Sequence, residues 1–494
     1  MTDSELQAGL RFVVYDGLAS QAMITLTSGV FLVDFALQLG ASNTIIGLLA
    51  AIPPITQLIQ IPSVYLVEHY QNRRKIAVYS AALSRFFLLL MALIPFFFKS
   101  NLALAMLSGA LIGHTSLNAV LVCSWNSWMR DLVPQDILGS FFSKRIAFSL
   151  IPAITLSLAA GFFIDNWNAF FPGDIIFSYS VLFILGFVAG MIGAAIIARI
   201  PEPLMARSKQ KPQLSKLIKQ PFRDKNFKNL IIFLGAWNFA VNLAAPFFTV
   251  YMLKNLELEM SFVIGFTVVS QLANMGFLRV WGKLSDRFSN KPLLALSGIT
   301  FILCILGWTF TTMPDKHQFT LPLLAVLHIF MGIATAGVGL AGGNIGLKLA
   351  PRGKATSYLA ANSFINSLAA GIAPIIGGGF VDFFEKRELS WTLKWTSPEG
   401  ILSIQTLNLR GFDFFFFLAF LIGLYSLHRL AFVREVGEVR EKVIIEEIFA
   451  GATRRVRNLS SVGGLRYLAQ LPTTLFKSRT RQDGSKKRPG RSTK

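Results

Sequence analysis

The sequence predicts an all-α polytopic membrane protein, with twelve transmembrane helices arranged as two pseudo-symmetric halves of six. Composition is the first observation behind this prediction: 53% of the 494 residues are hydrophobic and only 15% are charged, whereas about a quarter of the residues of soluble proteins are charged. The second is that twelve apolar runs are long enough to cross a bilayer. The third is that the second half of the chain repeats features of the first.

Each predicted span is an apolar run of about 20 residues, the length that a helix needs to cross the hydrocarbon core. The runs of the first half are 12 to 38, 44 to 66, 76 to 98, 102 to 129, 144 to 164 and 175 to 198. Those of the second half are 229 to 253, 262 to 282, 291 to 312, 320 to 348, 355 to 381 and 411 to 432.

Basic residues indicate how the spans are oriented. The connections that follow even-numbered spans are basic, as in Arg73-Arg74-Lys75, Lys144-Arg145 and the segment 199 to 228, and the opposite connections carry little excess of Lys and Arg. Because Lys and Arg collect on the cytoplasmic side, both termini are expected in the cytoplasm, with the protein in the plasma (inner) membrane. The N-terminus lacks the basic region of a signal peptide, so span 1 is expected to be retained.

The two halves align with an almost constant offset. Pro134 and Asp165 correspond to Pro351 and Asp382 without a gap, and Gly161 then falls on Gly378. We therefore expect a bundle at 1–199, a basic cytoplasmic linker at 200–228, and a second bundle at 229–433. Residues 434–494 are expected to form a cytoplasmic amphipathic helix and a basic disordered tail.

The segment from Gly282 to Lys291, with Asp286 and Arg287 inside it, resembles the signature loop of the major facilitator superfamily at the position between spans 8 and 9. The first half carries a degenerate copy that begins at Glu68. This resemblance implies a two-half fold and secondary active or facilitative transport of a small solute by alternating access, with a proton as one candidate coupling ion. It also implies a cytoplasmic latch, formed by Gly282, Asp286, Arg287 and Lys291, with a counterpart at Glu68, Arg73, Asp131 and Arg145. The alternative is that these charges are solvated and only set the topology.

Polar side chains within spans usually face the bundle interior, because lipid exposure is costly. In the family that the chain resembles, spans 1, 4, 7 and 10 line the central cavity. The substrate-binding candidates on these spans are Gln21, His114, Asn118, Asn238, Asn242 and His328. Hydrogen bonds that merely join helices are the alternative role for each residue. Uncharged amides and imidazoles favour a neutral or amphipathic solute.

Two carboxylates in span 1, Asp34 and Asp16, are candidates for proton coupling. Asp34 is preferred because it lies in the outer part of the span, whereas the nearby cation of Arg11 favours ionised Asp16. Interfacial placement without a coupling role is the alternative for both.

Several further expectations concern partners and function. The basic tail is expected to contact the anionic inner leaflet rather than nucleic acid, and the protein to be a monomer without cofactors. Cys123 and Cys304 lie in apolar runs, which argues against a thiolate metal site, and no phosphate loop or catalytic pair indicates an enzyme. The segment 383 to 410 is expected to form a small hairpin. A second functional hypothesis stays open, namely a transporter-like assembly or binding factor for pigment or lipid without cyclic transport.

Overall fold

The computed structural model of the chain describes residues 3–134, 137–203, 221–312, 316–351, 355–398, 400–435 and 444–446. Within these residues, twelve spans are long and apolar enough to cross a membrane. This confirms the predicted fold class and the number of spans. Residues 204–220 of the predicted linker, and residues 436–443 and 447–494 of the predicted tail, lie outside the described residues.

The first half contains spans 1 to 6. Their helices are Asp3–Thr27 with Val30–Gln38 (span 1), Asn43–Thr56 with Gln60–Tyr70 (span 2), Arg73–Phe97 (span 3), Ser100–Leu132 (span 4), Leu138–Phe170 (span 5) and Ile176–Ile197 (span 6). The helices of spans 1, 2, 4 and 5 extend beyond the predicted apolar runs, because polar residues continue the helix, whereas the helix of span 6 lies within its predicted run.

The second half contains spans 7 to 12. Their helices are Lys225–Val250 (span 7), Met260–Phe288 (span 8), Lys291–Thr309 (span 9), Thr320–Leu349 (span 10), Ala355–Phe384 (span 11) and Phe412–Leu430 (span 12). A π-helical turn, Tyr251–Asn255, continues span 7.

Neighbour relations repeat between the halves. Span 1 packs against spans 5 and 6, span 3 against spans 4 and 6, and span 2 against span 4. In the second half, span 7 packs against spans 11 and 12, span 9 against spans 10 and 12, and span 8 against span 10. The internal repeat of the sequence therefore corresponds to a repeat in three dimensions.

Two spans are interrupted near the centre of the molecule. Span 1 breaks at Gly29, whose φ of 61° is a conformation that glycine adopts readily. Span 2 contains Pro53 and Pro54 and passes through a 3₁₀ turn, Gln57–Ile59, because a proline inside a helix removes a backbone hydrogen bond.

The two halves meet mainly through two pairs of spans. Span 2 packs against span 11, and span 5 packs against span 8. Small residues allow spans 2 and 11 to approach closely. A Cβ atom added to Gly47 would lie 2.0 Å from the backbone oxygen of Pro374. One added to Gly378 would lie 2.3 Å from the backbone oxygen of Asn43. The glycines near Pro374 thus have a packing role, as expected for small residues where helices cross.

The predicted hairpin between spans 11 and 12 is present. Strand β1 (Glu388–Ser397) pairs antiparallel with β2 (Gly400–Arg410). Of the predicted amphipathic helix after span 12, residues 444–446 are described, and Ile444 is fully buried in the hydrophobic core.

Candidate functional site

A cavity of about 860 Å³ lies between the two halves, within the usual size range of small-molecule sites. Spans 1 and 5 form one wall, and spans 8 and 10 form the other. The break at Gly29 lies in the wall. The polar lining residues are Gln21, Thr25, Ser28, Ser157, Thr267, Ser270, Gln271, Asn274, Arg279 and Thr335.

A second cavity of about 480 Å³ adjoins the first, because Ile24, Ser28, Gly29, Val30 and Thr267 line both. It extends towards spans 2, 3, 4 and 7 and is largely apolar. A third, of about 180 Å³, lies between spans 1 and 5 and shares Gln21 with the first. The three cavities adjoin one another around the central part of span 1, and we refer to them together as the central region.

Two of the predicted substrate-binding residues line this region. Gln21 lines the 860 Å³ cavity, and its amide donates to Thr25 at 3.4 Å. His114 lines the 480 Å³ cavity, where its Nδ1 lies 2.8 Å from the backbone oxygen of Ser84.

The other four predicted residues do not line these cavities. The amides of Asn238 and Asn242 donate to the backbone oxygens of Leu234 and Asn238, both at 2.8 Å. His328 is buried, with its ring 5.2 Å from that of Phe266. Asn118 is likewise absent from the cavity walls.

The expectation that spans 1, 4, 7 and 10 line the central cavity needs correction for the main cavity. Spans 5 and 8 replace spans 4 and 7 in its wall. The reason is the way in which the halves meet: the span 5 to span 8 contact brings both helices to the boundary between the halves. Span 8 also brings a cationic side chain, that of Arg279, into the cavity wall.

The two candidates for proton coupling lie in different surroundings. Asp34 accepts hydrogen bonds from the hydroxyl of Tyr179 and from Gln38, within the wall between spans 1 and 6. Asp16 is also buried, and it forms an ion pair with Arg145 of span 5 at 3.2 Å. Arg145 lines the 180 Å³ cavity, so of the two carboxylates only Asp16 has a partner in the wall of the central region.

The residues of the predicted first-half latch do not form a single cluster. The fully buried side chain of Arg73 pairs with Asp131 and donates to the backbone oxygen of Ser127 at 3.0 Å. Arg145 instead pairs with Asp16. Glu68 is half-buried, and the described residues provide it with no ion pair. The Arg73 cluster lies entirely within the first half.

In the second-half signature, an added Cβ at Gly282 would meet no atom within 4 Å. The guanidinium of Arg287 lies 4.7 Å from the ring centre of Phe288, and the Lys291 backbone N–H donates to Glu435 at 2.8 Å. The Asp286 side chain lies outside the described part of the structure. Among the described residues, no neighbouring helix therefore packs closely against Gly282 in this conformation.

Two carboxylates that the sequence analysis did not assign to the site connect the halves. Asp165 of span 5 accepts the N–H groups of Met260 and Ser261, at the start of span 8, at 2.9 and 2.8 Å. Asp382 of span 11 accepts those of Asn43 and Thr44, at the start of span 2, at 3.0 and 2.8 Å. We call Asp165 and Asp382 the outer caps. Their equivalence in the repeat was the signal that could have identified them.

Two further carboxylates, Glu202 and Glu435, follow spans 6 and 12, and we call them the inner caps. Glu202 accepts the N–H groups of Arg73 and Arg74 at 2.7 and 3.2 Å. Glu435 accepts those of Asn290 and Lys291 at 2.9 and 2.8 Å. Each inner cap therefore joins the end of its own half to the start of that half's third span.

The surroundings of Glu435 affect its ionisation. Burial alone would raise its pKa, but hydrogen bonds from Lys348, Asn290 and the two backbone N–H groups outweigh burial and lower the pKa below its usual value. The carboxylate is thus held in its charged form.

Among the described residues, no group of His, Cys, Asp and Glu side chains could hold a metal ion.

Structural comparison relates the chain to solved transporters. A mutant of the nucleoside transporter NupG matches with a TM-score of 0.64 at 13% identity, over 87% of this chain and 100% of that chain. The xylose transporter XylE from E. coli matches with a TM-score of 0.59 at 14% identity, over 88% and 99%. A bacterial homologue of the iron transporter ferroportin gives 0.60 at 13% identity, over 88% and 100%. Identities at this level establish similarity of fold.

Sequence comparison shows the family of the chain. An MFS-type transporter of Aspergillus terreus (strain NIH 2624 / FGSC A1156) is 28% identical over 121 residues, which are 24% of this chain and 20% of that protein. The chain therefore spans about a fifth of the length of that relative. The family model of the Major Facilitator Superfamily matches residues 17–374 and 272–442. The chain belongs to the major facilitator superfamily.

Proposed function

We propose that this protein carries a small solute across the membrane by alternating access, and that the 860 Å³ cavity holds the solute. The observation that carries the proposal is a cavity between two repeated halves, together with the outer caps, which join one half to the other at one end of spans 5 and 11. Each outer cap joins one half to the other through hydrogen bonds. These hydrogen bonds can break when the halves rock.

The distribution of basic residues supports an assignment of the outer caps to one side of the membrane. Spans 2 and 8 begin after connections with little basic excess, so the outer caps lie on the external side by the positive-inside rule. The proposed state is inward-facing, with both termini in the cytoplasm and the protein in the plasma membrane. The ferroportin homologue matches in an inward-facing state, and XylE matches in a partially occluded inward-open conformation.

The cavity lining supports a polar solute with little net charge. Hydroxyl and amide groups dominate its polar part, with Arg279 as the single cationic side chain. Neutral polyhydroxylated or amphipathic solutes suit such donors and acceptors, and the matching structures include transporters of nucleosides and xylose. We retain the monomer and the contact of the basic tail with anionic inner-leaflet lipids as parts of the proposal.

Transport in vesicles tests the proposal. The purified chain is reconstituted, and uptake and counterflow of radiolabelled sugars, nucleosides, amino acids and lipids are measured. Saturable counterflow that is reduced in Gln271→Ala, a change in the cavity wall, supports the proposal. The exposed change Glu257→Gln is the control. Saturable binding of pigment or lipid without counterflow would instead support an assembly or binding factor.

A further inference from the structure

The hairpin between spans 11 and 12 has one apolar face. On β1, alternate residues share a face, and this face carries Leu389, Trp391, Leu393 and Trp395, which are 53, 69, 56 and 68% exposed. Strand pairing places Leu409, Leu407, Ile404 and Leu402 opposite these four residues. The apolar residues of β1 thus share one side of the two-stranded sheet with Leu402 and Leu409 of β2.

The other side of the hairpin is mainly polar, with the exposed Ile401, opposite Thr396, as an apolar exception. Along β1 it carries Glu388, Ser390, Thr392, Lys394 and Thr396. A register shift between Trp391 and Thr392 leaves the alternation of β1 intact, because the extra residue belongs to β2. The pattern is therefore that of a sheet designed to bury one face and solvate the other.

An isolated two-stranded hairpin is marginally stable in water, and it gains stability when one face is covered. The β2 strand packs against the start of span 12, yet the apolar face of β1 keeps more than half of its side-chain surface exposed. An exposed apolar patch of this kind indicates an interaction surface.

The position of the hairpin indicates what covers its apolar face. β1 starts within four residues of the end of span 11 at Phe384, and only Gly411 separates β2 from span 12. The hairpin therefore emerges directly at the membrane surface. Phe383 and Phe417, near the adjoining span ends, are about half exposed, so the apolar face continues an aromatic, lipid-exposed surface.

The chemistry of the hairpin fits a bilayer interface. Trp residues concentrate where headgroups meet acyl chains, since the indole has an apolar body and one polar N–H. The base of the hairpin adds Lys386 and Arg387, and its polar face adds Lys394. The Arg387 guanidinium lies 3.6 Å from the ring centre of Phe383, which leaves it near the span end, where lipid phosphates lie.

We propose that the apolar face of the hairpin lies in the interface of the bilayer, on the side where span 11 ends and span 12 begins. The hairpin then anchors these spans at the surface through Trp391 and Trp395. This inference is independent of the transported solute and of transport itself.

Adjacent residues on opposite faces provide a matched test. In full-length protein carrying Cys123→Ala and Cys304→Ala, a bimane fluorophore is attached at Leu393→Cys or, in the control, at Lys394→Cys. Each protein is reconstituted in phosphatidylcholine vesicles. Quenching is measured with nitroxide-labelled phosphatidylcholine from the lipid side and with iodide from the water side.

The proposal expects nitroxide lipid to quench the label at position 393 several-fold more than the label at 394, and iodide to show the reverse order. Equal access of iodide to both positions overturns it, and would be the result if a separate protein normally covered the face. Shielding at 393 that depends on protein concentration, without lipid quenching, also overturns it in favour of a second copy. If either variant is not monodisperse, Leu389→Cys and Ser390→Cys form the second pair, judged by the same outcomes.

Discussion

Among the described residues, four carboxylates each accept two backbone N–H groups at the start of a helix that is distant along the chain. A helix start has unpaired N–H groups and a partial positive charge, so a carboxylate there is stabilised by hydrogen bonds and by the helix dipole. Asp165 and Asp382 reach a helix of the opposite half, whereas Glu202 and Glu435 reach a helix of their own half. If the halves rock as units, only the two outer caps must break in each cycle.

The first prediction concerns these outer caps. Asp382→Ala removes a carboxylate that accepts from Asn43 and Thr44, and loss of such a cap costs about 1 kcal/mol. The population with an open outer side should then rise by about fivefold, since 1.4 kcal/mol is a tenfold change. The measurement is the labelling rate of Ser28→Cys, in the cavity wall, by a membrane-impermeant maleimide added outside.

Asp174→Ala is the matched control, because Asp174 is an exposed acid in the loop between spans 5 and 6. It should leave the labelling rate unchanged. Asp165→Ala should act in the same direction as Asp382→Ala, since the repeat gives it the same role. An unaltered rate in both outer-cap variants would show that the caps do not hold the outer side closed.

The second prediction concerns Glu435 and pH. Its folded-state pKa lies below the usual value because Lys348, Asn290 and two backbone N–H groups donate to the carboxylate. A lowered pKa adds stability above the unfolded-state pKa of about 4.3, and this stability is lost as the pH falls through the folded-state value. Glu435→Gln should therefore reduce stability by about 2 kcal/mol at pH 6 to 8.

Thermal unfolding in detergent, followed at several pH values, checks this prediction. The midpoints of wild type and Glu435→Gln should differ by a constant amount near neutral pH and converge as the pH falls below about 4. Glu257→Gln, a change of an exposed acid, should have no effect. A gap that widens in acid would contradict the assigned direction of the pKa shift.

At the scale of elements, the crossing of spans 2 and 11 controls how closely the halves approach. A side chain at Gly47 would overlap the backbone oxygen of Pro374, and one at Gly378 would overlap that of Asn43. Backbone atoms cannot move aside as a flexible side chain can. The helices must therefore separate if either glycine is replaced by a large residue.

The third prediction follows from this crossing. Gly47→Leu should prevent close contact of spans 2 and 11 and shift the protein towards the outer-open state. The measurement is the distance between spin labels at Asn101→Cys and Lys386→Cys, which should lengthen. Gly109→Leu, in span 4, is the control, because an added Cβ there meets no atom within 4 Å. An unchanged distance distribution in Gly47→Leu would exclude this crossing as a determinant of the state.

At the scale of the whole molecule, the sequence predicted the parts of the fold that depend on local patterns. The number of spans follows from the lengths of apolar runs, and the pairing of Asp165 with Asp382 follows from the constant offset between halves. The hairpin was expected from alternating apolar residues between 383 and 410. Each of these features depends on the spacing of residue types within a short segment.

The lining of the cavity could not be predicted in the same way. Asn238 and Asn242 do lie on one face of span 7, yet their amides donate to carbonyls of their own helix. Asn274 and Arg279 line the cavity because span 8 packs against span 5 at the boundary between halves. That arrangement depends on tertiary packing and on the conformational state, which the periodicity of a single span does not encode.

The fourth prediction concerns the coupling of transport to a proton gradient. The sequence favours Asp34, but the Tyr179 and Gln38 hydrogen bonds place that carboxylate within a wall. Asp16 pairs with Arg145, which lines a cavity adjoining the central one. Entry of water or solute can therefore separate this pair in one state and leave it closed in the other.

If transport is proton driven, Asp16→Asn should abolish substrate-driven proton flux in vesicles while substrate exchange continues, because exchange requires no net change in protonation. Asp34→Asn is the comparison, and it should retain flux if its role is to hold spans 1 and 6 together. Flux that survives in Asp16→Asn and disappears in Asp34→Asn would restore the assignment made from the sequence. Transport by the wild type without any proton flux would identify a facilitator, and the Asp16–Arg145 pair would then be a structural link between spans 1 and 5.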